Sequence, residues 1–145
     1  MVFSNRTPGA QGSFTQLYEL APPVNAAGRY TIRTGDPFGP VEPVWTYSDP
    51  EHFSATYISG AERLPTGNTL VSSGPQGRIF EVAPDGEIVW EYWSPYSGRE
   101  DDSDDGGRNP WAVFRAIRIP ADHPGLRDRD LVALNPQPPL LSPAP

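Results

Sequence analysis

The 145-residue sequence has neither cysteine nor lysine, only two histidines, and no long apolar run. The absence of cysteine excludes disulfide bonds and cysteine-ligated metal sites. No apolar stretch approaches the length of a membrane-spanning helix, so we expect no membrane partner. The first ten residues, MVFSNRTPGA, lack the apolar segment of a secretory signal.

The charge is strongly one-sided, with 18 acidic and 11 basic residues and a net charge of −7. This balance disfavours nonspecific binding to nucleic acid, so no nucleic-acid partner is expected, and no cofactor is expected either. All the basic residues are arginine, whose guanidinium group suits sulfate, phosphate or carboxylate. The alternative is a GC-rich genome that encodes arginine in preference to lysine. The second interpretation is favoured, because many of these arginines fall in loops or on solvent-like faces.

What the sequence has in abundance is turn formers, with 19 prolines and 14 glycines beside 37% hydrophobic residues. Short apolar runs between turn signals predict an all-β fold. An internal repeat refines this prediction, because four short motifs recur in the same order with varying insertions. The pairs are VFSN (2–5) and VSSG (71–74), LYELAP (17–22) and IFEVAP (79–84), VWTYSDP (44–50) and VWEYWSP (89–95), and GAERLP (60–65) and RAIRIP (115–120).

The middle copy predicts four antiparallel strands. We place them at 58–64, 69–73, 78–83 and 87–93, with Asp85-Gly86 as a strong hairpin signal. Four short antiparallel strands in about 40 residues are typical of one β-propeller blade, here residues 57–94. The sequence therefore predicts an all-β partial β-propeller over residues 1–134.

The flanking copies are incomplete. The first, residues 1–48, lacks the innermost strand and provides strands at 2–5, 14–20 and 44–47, with a Pro/Gly-rich insertion at 22–43 as a loop or extra hairpin. The third, residues 111–134, offers a first strand at 112–119 and a short apolar run at 131–134. Residues 135–145 are predicted to be a proline-rich disordered tail.

Propellers close with about four to eight blades, more than this sequence holds. We expect the chain to be a truncated part of a longer gene product. The alternative is that several copies assemble into one ring. The open edges of incomplete blades favour self-association.

The repeat region resembles the arylsulfotransferase family of β-propeller proteins, in its C-terminal part. The resemblance rests on ISGAERLPTGNTLVSSGPQGRIFEVAPDGEIVWEYWSP (58–95), with PFGPVEPVWTYS (37–48) and VFRAIRIPADHPGL (113–126). It implies a parent protein that transfers a sulfuryl group from an aryl sulfate to a phenol through a sulfated histidine. It also implies a periplasmic or extracellular location and a small aromatic sulfate or phenol as partner.

The catalytic motif of that family is absent from this chain. A His-x-Asn pair is expected before the first strand of a catalytic blade, where this sequence has Tyr57-Ile58-Ser59-Gly60. An arginine is expected after the second strand, where Ser72-Ser73 is followed by Gly74. This chain alone is therefore expected to be inactive. A non-catalytic propeller that binds a partner or acts as a scaffold is the alternative function.

Only weak site candidates remain. His52 lies between blades and is the better candidate nucleophile; His123 lies in a polar loop. Arg115, on the predicted first strand of the third copy, and Arg78, which opens a strand after a glycine, are candidate anion ligands. A structural pairing of each arginine with a neighbouring acid is the more ordinary interpretation.

Two further patterns have ordinary explanations. Asp101, Ser103 and Asp105 begin a calcium-loop pattern, but the closing glutamate of an EF-hand would fall at Ala112, so a solvated acidic loop is favoured. Trp45, Trp90 and Tyr92 recur at matching repeat positions. We interpret these aromatics as core residues rather than as a ligand platform.

Overall fold

The computed structural model describes residues 1–9, 12–96 and 111–132. These residues form two antiparallel sheets and contain no α-helix, which confirms the predicted all-β class. The chain divides into two units, Met1–Ser54 and Ala55–Pro145. The strands are β1 (Val2–Gly9), β2 (Gly12–Glu19), β3 (Trp45–Tyr47), β4 (Gly60–Arg63), β5 (Thr69–Ser73), β6 (Arg78–Val82) and β7 (Ile88–Trp93), and single 3₁₀ turns lie at Gly74–Gln76 and Pro124–Leu126.

The second unit contains a four-stranded sheet in the order β4-β5-β6-β7, with every neighbouring pair antiparallel. This sheet was expected from the middle repeat, and it is confirmed. Its turns use glycines with positive φ, at Gly67 (90°), Gly77 (64°) and Gly86 (95°). Strand β4 begins two residues later than predicted, because Ile58 and Ser59 have left-handed backbone angles that a strand cannot accommodate.

The two central strands of this sheet are buried almost throughout. Residues directly opposite one another share a face, so Val71 of β5 and Phe80 of β6 lie side by side, and neither is exposed to solvent. We call this side the inner face. The other side, the outer face, carries the row Glu62, Leu70, Glu81 and Trp90.

The first unit contains a three-stranded sheet in the order β1-β2-β3. Phe3 and Leu17 are paired across β1 and β2, and Leu17 is fully buried. Phe53 closes this side of the sheet: its ring centroid lies 5.8 Å from that of Phe3 and 6.0 Å from that of Tyr47. A register shift between Ser4 and Thr7 marks a bulge in β1.

The insertion at 22–43 contains one isolated antiparallel bridge, between Val24 and Tyr30, around a turn at Gly28. Most of its residues are exposed. It is therefore a surface loop with a minimal hairpin rather than an additional strand pair of the sheet.

Residues 112–119, predicted as a strand, do not form one. The prediction is wrong for the described residues because an extended segment becomes a strand only when a neighbour completes its hydrogen-bond ladder, and no ladder forms here. Residues 131–132 of the later apolar run are also outside any strand. The tail at 135–145 lies outside the described residues.

The expected core role of Trp45, Trp90 and Tyr92 is not borne out within the described residues. Trp90 is 42% exposed, and Trp45 and Tyr92 are only half-buried. In both sheets the last strand carries a stacked pair: Trp45 on Tyr47, and Trp90 on Tyr92, with interplanar angles of 8° and 6°. Burial, and then the nearby Tyr96, raise the pKa of Tyr92 above its usual 10.0.

We predict that Phe80→Ala destabilises the protein by about 3–5 kcal/mol, since it removes a fully buried ring from the centre of the four-stranded sheet. Urea unfolding measures this change. Val89→Ala on edge strand β7, where the side chain is 49% exposed, is the matched control and should cost less than about 1 kcal/mol. Equal losses in the two variants would contradict the burial of Phe80.

Candidate functional site

The most unusual backbone in the described chain lies just before β4. Ile58 has a φ of 46° and Ser59 a φ of 86°, two consecutive left-handed residues of which one is β-branched. Each such residue costs of order 1–3 kcal/mol, and such strain persists only where the surroundings fix it. This stretch is also the one that the family resemblance aligns with the expected His-x-Asn pair, so it is the first candidate site.

Hydrogen bonds and close packing hold this strained stretch. The Ser59 hydroxyl accepts a hydrogen bond from the Gly74 amide at 2.9 Å and donates one to the Tyr57 carbonyl at 3.2 Å. A Cβ at Gly74 would collide with the Ile58 side chain, so only glycine allows this approach. The Ser59 hydroxyl is thus used to hold the two turns together.

The extended segment 111–118, which we call the docking segment, lies against the same turn. The Val113 amide donates to the Gly74 carbonyl at 3.0 Å. The Trp111 carbonyl oxygen lies so close to Gly77 that a Cβ there would be 2.5 Å from it. The two glycines of this turn therefore allow main-chain contact between the turn and the docking segment.

A cleft of about 460 Å³ opens where the docking segment passes β4 and β5. Arg115 and Glu62 line it, and both are exposed. Within the part of the chain that the structure describes, neither side chain forms an ion pair or hydrogen bond. The complete lining is Ser59, Gly60, Ala61, Glu62, Leu70, Phe114, Arg115 and Ala116. The cleft can offer one cation to an anionic group, but it contains no histidine.

The end of the docking segment is anchored by a charge network on the outer face. Arg118 lies 3.6 Å from a carboxylate oxygen of Glu81, and its guanidinium lies 5.7 Å from the centre of the Trp90 ring. Glu81 is 8% exposed and also accepts a hydrogen bond from Asn68 at 2.8 Å. A buried carboxylate needs such partners, because its desolvation is costly. Arg118 therefore ties residues distant in sequence to the centre of the sheet.

Arg78 is on the inner face and has a structural environment. It is 5% exposed, and its Nε donates to Glu91 on the neighbouring strand at 2.5 Å. Its guanidinium lies 4.4 Å from the Phe80 ring centre and 5.4 Å from that of Trp93. The sheet thus surrounds Arg78 with an acid and two aromatic rings. Arg78 and Arg115 lie in separate environments within the second unit and do not form a joint anion site.

His52 lies in the first unit, in the turn that follows β3. Its imidazole is 71% exposed, and Nδ1 lies 3.2 Å from a carboxylate oxygen of Asp49. The His52 amide also donates to that oxygen at 3.2 Å. The imidazole is therefore exposed and held by its own turn, which gives His52 a local role in that turn.

His123 has a local role. Its Nδ1 accepts a hydrogen bond from the Gly125 amide at 3.1 Å, which caps the 3₁₀ turn at Pro124–Leu126. This contact occupies the lone pair that a nucleophile would need. The residue therefore stabilises a turn.

The candidate calcium ligands Asp101, Ser103 and Asp105 lie outside the described residues. Within residues 1–9, 12–96 and 111–132, no group of three or more His, Asp or Glu side chains is arranged to hold a metal ion. The helical turns in those ranges include none long and apolar enough to cross a membrane.

Several features of the site were not predicted from the sequence. The left-handed Ile58 was missed because a β-branched residue normally disfavours that conformation. The hydrogen bond from the Asn68 side chain to Glu81 was not predicted either, because an asparagine in a Gly-Asn turn is expected to bond to nearby backbone groups. The hydroxyl oxygens of Thr69 and Ser72 are buried with no hydrogen-bond partner among the described residues; nothing in the sequence marks them.

The comparisons with known proteins give no match: no protein-family model, no curated protein and no solved structure is significantly similar to the chain.

We predict that Gly77→Ala is more damaging than Gly67→Ala, by about 1 kcal/mol or more in the free energy of unfolding. Both positions have positive φ, so both variants carry backbone strain. Only at Gly77 would the new methyl group meet the Trp111 carbonyl; around Gly67 no atom lies within 4 Å. Urea unfolding of the two variants tests this, and equal losses would argue against docking of Trp111 on the turn.

We predict that Arg118→Ala lowers stability by about 1 kcal/mol at low salt, because Glu81 loses a cation and Trp90 a stacked guanidinium. Since Arg118 is 51% exposed, dissolved ions can screen its attraction to Glu81, and the loss of stability should be smaller in 1 M salt. Arg115→Ala is the control on the same segment and should change stability by less than about 0.5 kcal/mol. A larger effect at Arg115 than at Arg118 would refute the anchoring role.

Proposed function

We propose that the chain is part of an arylsulfotransferase-like β-propeller. In this proposal the β4–β7 sheet is one complete blade, and the β1–β3 sheet is three strands of another. The observation that carries it is the repetition of one local structure in both units. The last strand of each sheet bears a stacked Trp-x-Tyr pair, with ring centroids 6.1 Å apart for Trp45 and Tyr47 and 6.3 Å apart for Trp90 and Tyr92.

The strand order supports the same proposal. A propeller blade is a four-stranded antiparallel meander, with each strand beside its neighbour in sequence. The order β4-β5-β6-β7 has this form. The docking segment, which is the third copy of the first-strand motif, lies on the outer face through Arg118 and Glu81. A following blade would place its first strand in that position.

The proposed activity of the complete ring is transfer of a sulfuryl group from an aryl sulfate to a phenolic acceptor through a sulfo-histidine intermediate. In this ring the present chain supplies blade structure rather than the nucleophile. The stretch that corresponds to the expected His-x-Asn pair contains neither residue, and its Ser59 hydroxyl bonds to Gly74. Arg78 is held by Glu91. The remaining group with free charge on the cleft is Arg115, which fits an anion-positioning role if other blades provide the histidine.

A non-catalytic binding or scaffold propeller is the second candidate. The absence of histidine from the cleft lining, together with the exposure of Arg115 and Phe114 there, favours a surface that holds a partner without reacting with it. The two candidates differ in one measurable respect, the presence of sulfuryl transfer in the complete ring.

We predict that the 145-residue chain does not release phenol from a chromogenic aryl sulfate in the presence of a phenolic acceptor. The reaction needs a positioned nucleophile, and misplacement by about an ångström can cost roughly a hundredfold in rate. The assay compares the wild type with His52→Ala and His123→Ala.

Turnover that is abolished by His52→Ala would contradict the assignment of this chain as a supplier of blades alone. Turnover that is retained in both variants would contradict the sulfo-histidine mechanism for this chain. A mass increase of one sulfuryl group on a tryptic peptide containing His52 or His123 would identify the nucleophile directly.

A further inference from the structure

The first unit has an open edge where the second unit has a strand. Strand β1 is the edge of its sheet, and within the described residues its ladder is formed with β2 alone. Its repeat equivalent, β5, lies between two strands, β4 and β6. The first sheet thus lacks a counterpart of β4, and one side of β1 presents backbone groups that a further strand could pair with.

The docking segment, in contrast, is an extended segment that belongs to no sheet of the described chain. Its residues 115–118 are the repeat equivalents of Gly60–Arg63, the whole of β4. Among the described residues, the backbone groups of 114–119 form no hydrogen bond with another segment. Two large apolar side chains on it and one directly after it are also uncovered, since Phe114 is 76% exposed, Ile117 61% and Ile119 52%.

We infer that the docking segment of one copy supplies the missing strand to β1 of a second copy. This inference rests on the proposed equivalence of the two sheets as blades. An extended segment that adds to an exposed sheet edge gains a ladder of main-chain hydrogen bonds, with specificity from alternate side chains. Each copy has one donor segment and one acceptor edge, so the contact is head to tail.

The repeat fixes the register of this pairing. In the second unit Ala61 lies opposite Val71. Ala116 is the equivalent of Ala61, and Val2 is the equivalent of Val71. Ala116 of one copy should therefore lie opposite Val2 of the next, with Arg115 opposite Phe3 and Ile117 opposite Met1.

This register would also cover one of the exposed side chains. Ile117 would point to the same side of the first sheet as Phe3, which packs edge-on against Phe53. An isoleucine that is 61% exposed in one chain would thereby join an apolar cluster in another. The bonds that dock the segment on its own sheet, from the Val113 amide and the Arg118 side chain, do not use the groups needed for this ladder.

A head-to-tail contact of this kind produces either a closed ring or an open chain of copies. Two sheets from each copy, and about four to eight blades in a closed propeller, give rings of about two to four copies. Sedimentation of the wild-type chain should show a species larger than the 15.9 kDa monomer. Arg115→Pro removes an amide from the ladder, because Arg115 is the equivalent of Gly60, whose pair with Ser72 is one of the hydrogen-bonded pairs of β4 and β5. It should shift the population to monomer without loss of the β-sheet signal in circular dichroism.

Disulfide trapping tests the register, and the absence of cysteine from the wild type leaves no background. Val2→Cys and Ala116→Cys are made as separate variants, mixed and oxidised. The expected product is a mixed disulfide dimer. Ser4→Cys mixed with Ala116→Cys is the control, displaced by two residues, whose Cβ atoms would be about 7–8 Å apart. It should crosslink roughly tenfold less, because a disulfide needs Cβ atoms about 4 Å apart.

The other outcomes are also informative. If the double variant Val2→Cys/Ala116→Cys forms its disulfide within one chain, the donated strand acts in cis. The exchange between copies is then refuted, while the blade interpretation stands. If Val2→Cys crosslinks with itself as well as with Ala116→Cys, β1 pairs with β1 and the inference is wrong. If neither register is preferred and the wild type sediments as a monomer, the exchange between copies is refuted.

Discussion

The main chain of residues 111–113 lies directly against the turn between β5 and β6, and the arrangement of the second unit depends on this contact. It is possible because Gly74 and Gly77 have no side chains: the first also admits Ile58, and the second faces the Trp111 carbonyl. The turn between β5 and β6 therefore contacts the strained residues before β4 on one side and the docking segment on the other. Close packing of backbone leaves little room for adjustment, so these three segments form one structural element.

The paired charged residues of the second unit help to determine this packing. Arg78 and Glu81 are both nearly buried, and each has an oppositely charged partner, Glu91 and Arg118 respectively. Removal of one member of such a pair leaves the other charge poorly solvated, whereas the intact pair adds little net stability. These arginines thus determine which segments lie side by side, which is a different role from binding an anionic ligand. Arg115, which has no such partner among the described residues, is the exception.

Sequence patterns predicted the strands well where each strand has its partner nearby. For residues 58–93 the turn residues, the alternation of apolar and polar side chains and the hairpin lengths all favoured four antiparallel strands, and the four-stranded sheet is observed. The same kind of pattern at 112–119 did not give a strand, since a strand requires a neighbour that local sequence does not encode. For the candidate site, the family resemblance directed attention to the stretch before β4, because the His-x-Asn pair expected there is missing. The left-handed angles of Ile58 and the burial of Arg78 depend on tertiary packing, so local propensity could not reveal them.

The repetition of a stacked Trp-x-Tyr pair gives each unit a separate optical reporter. The sequence has four tryptophans, of which Trp45 alone belongs to Met1–Ser54. Its indole is stacked on Tyr47, which in turn packs on Phe53, so its emission depends on the packing of the first sheet. The other three indoles, at 90, 93 and 111, report on the second unit. A comparison of the fluorescence of the natural chain with that of a variant that lacks Trp45 therefore separates the unfolding of one sheet from that of the other. It also measures how cooperatively the two sheets unfold.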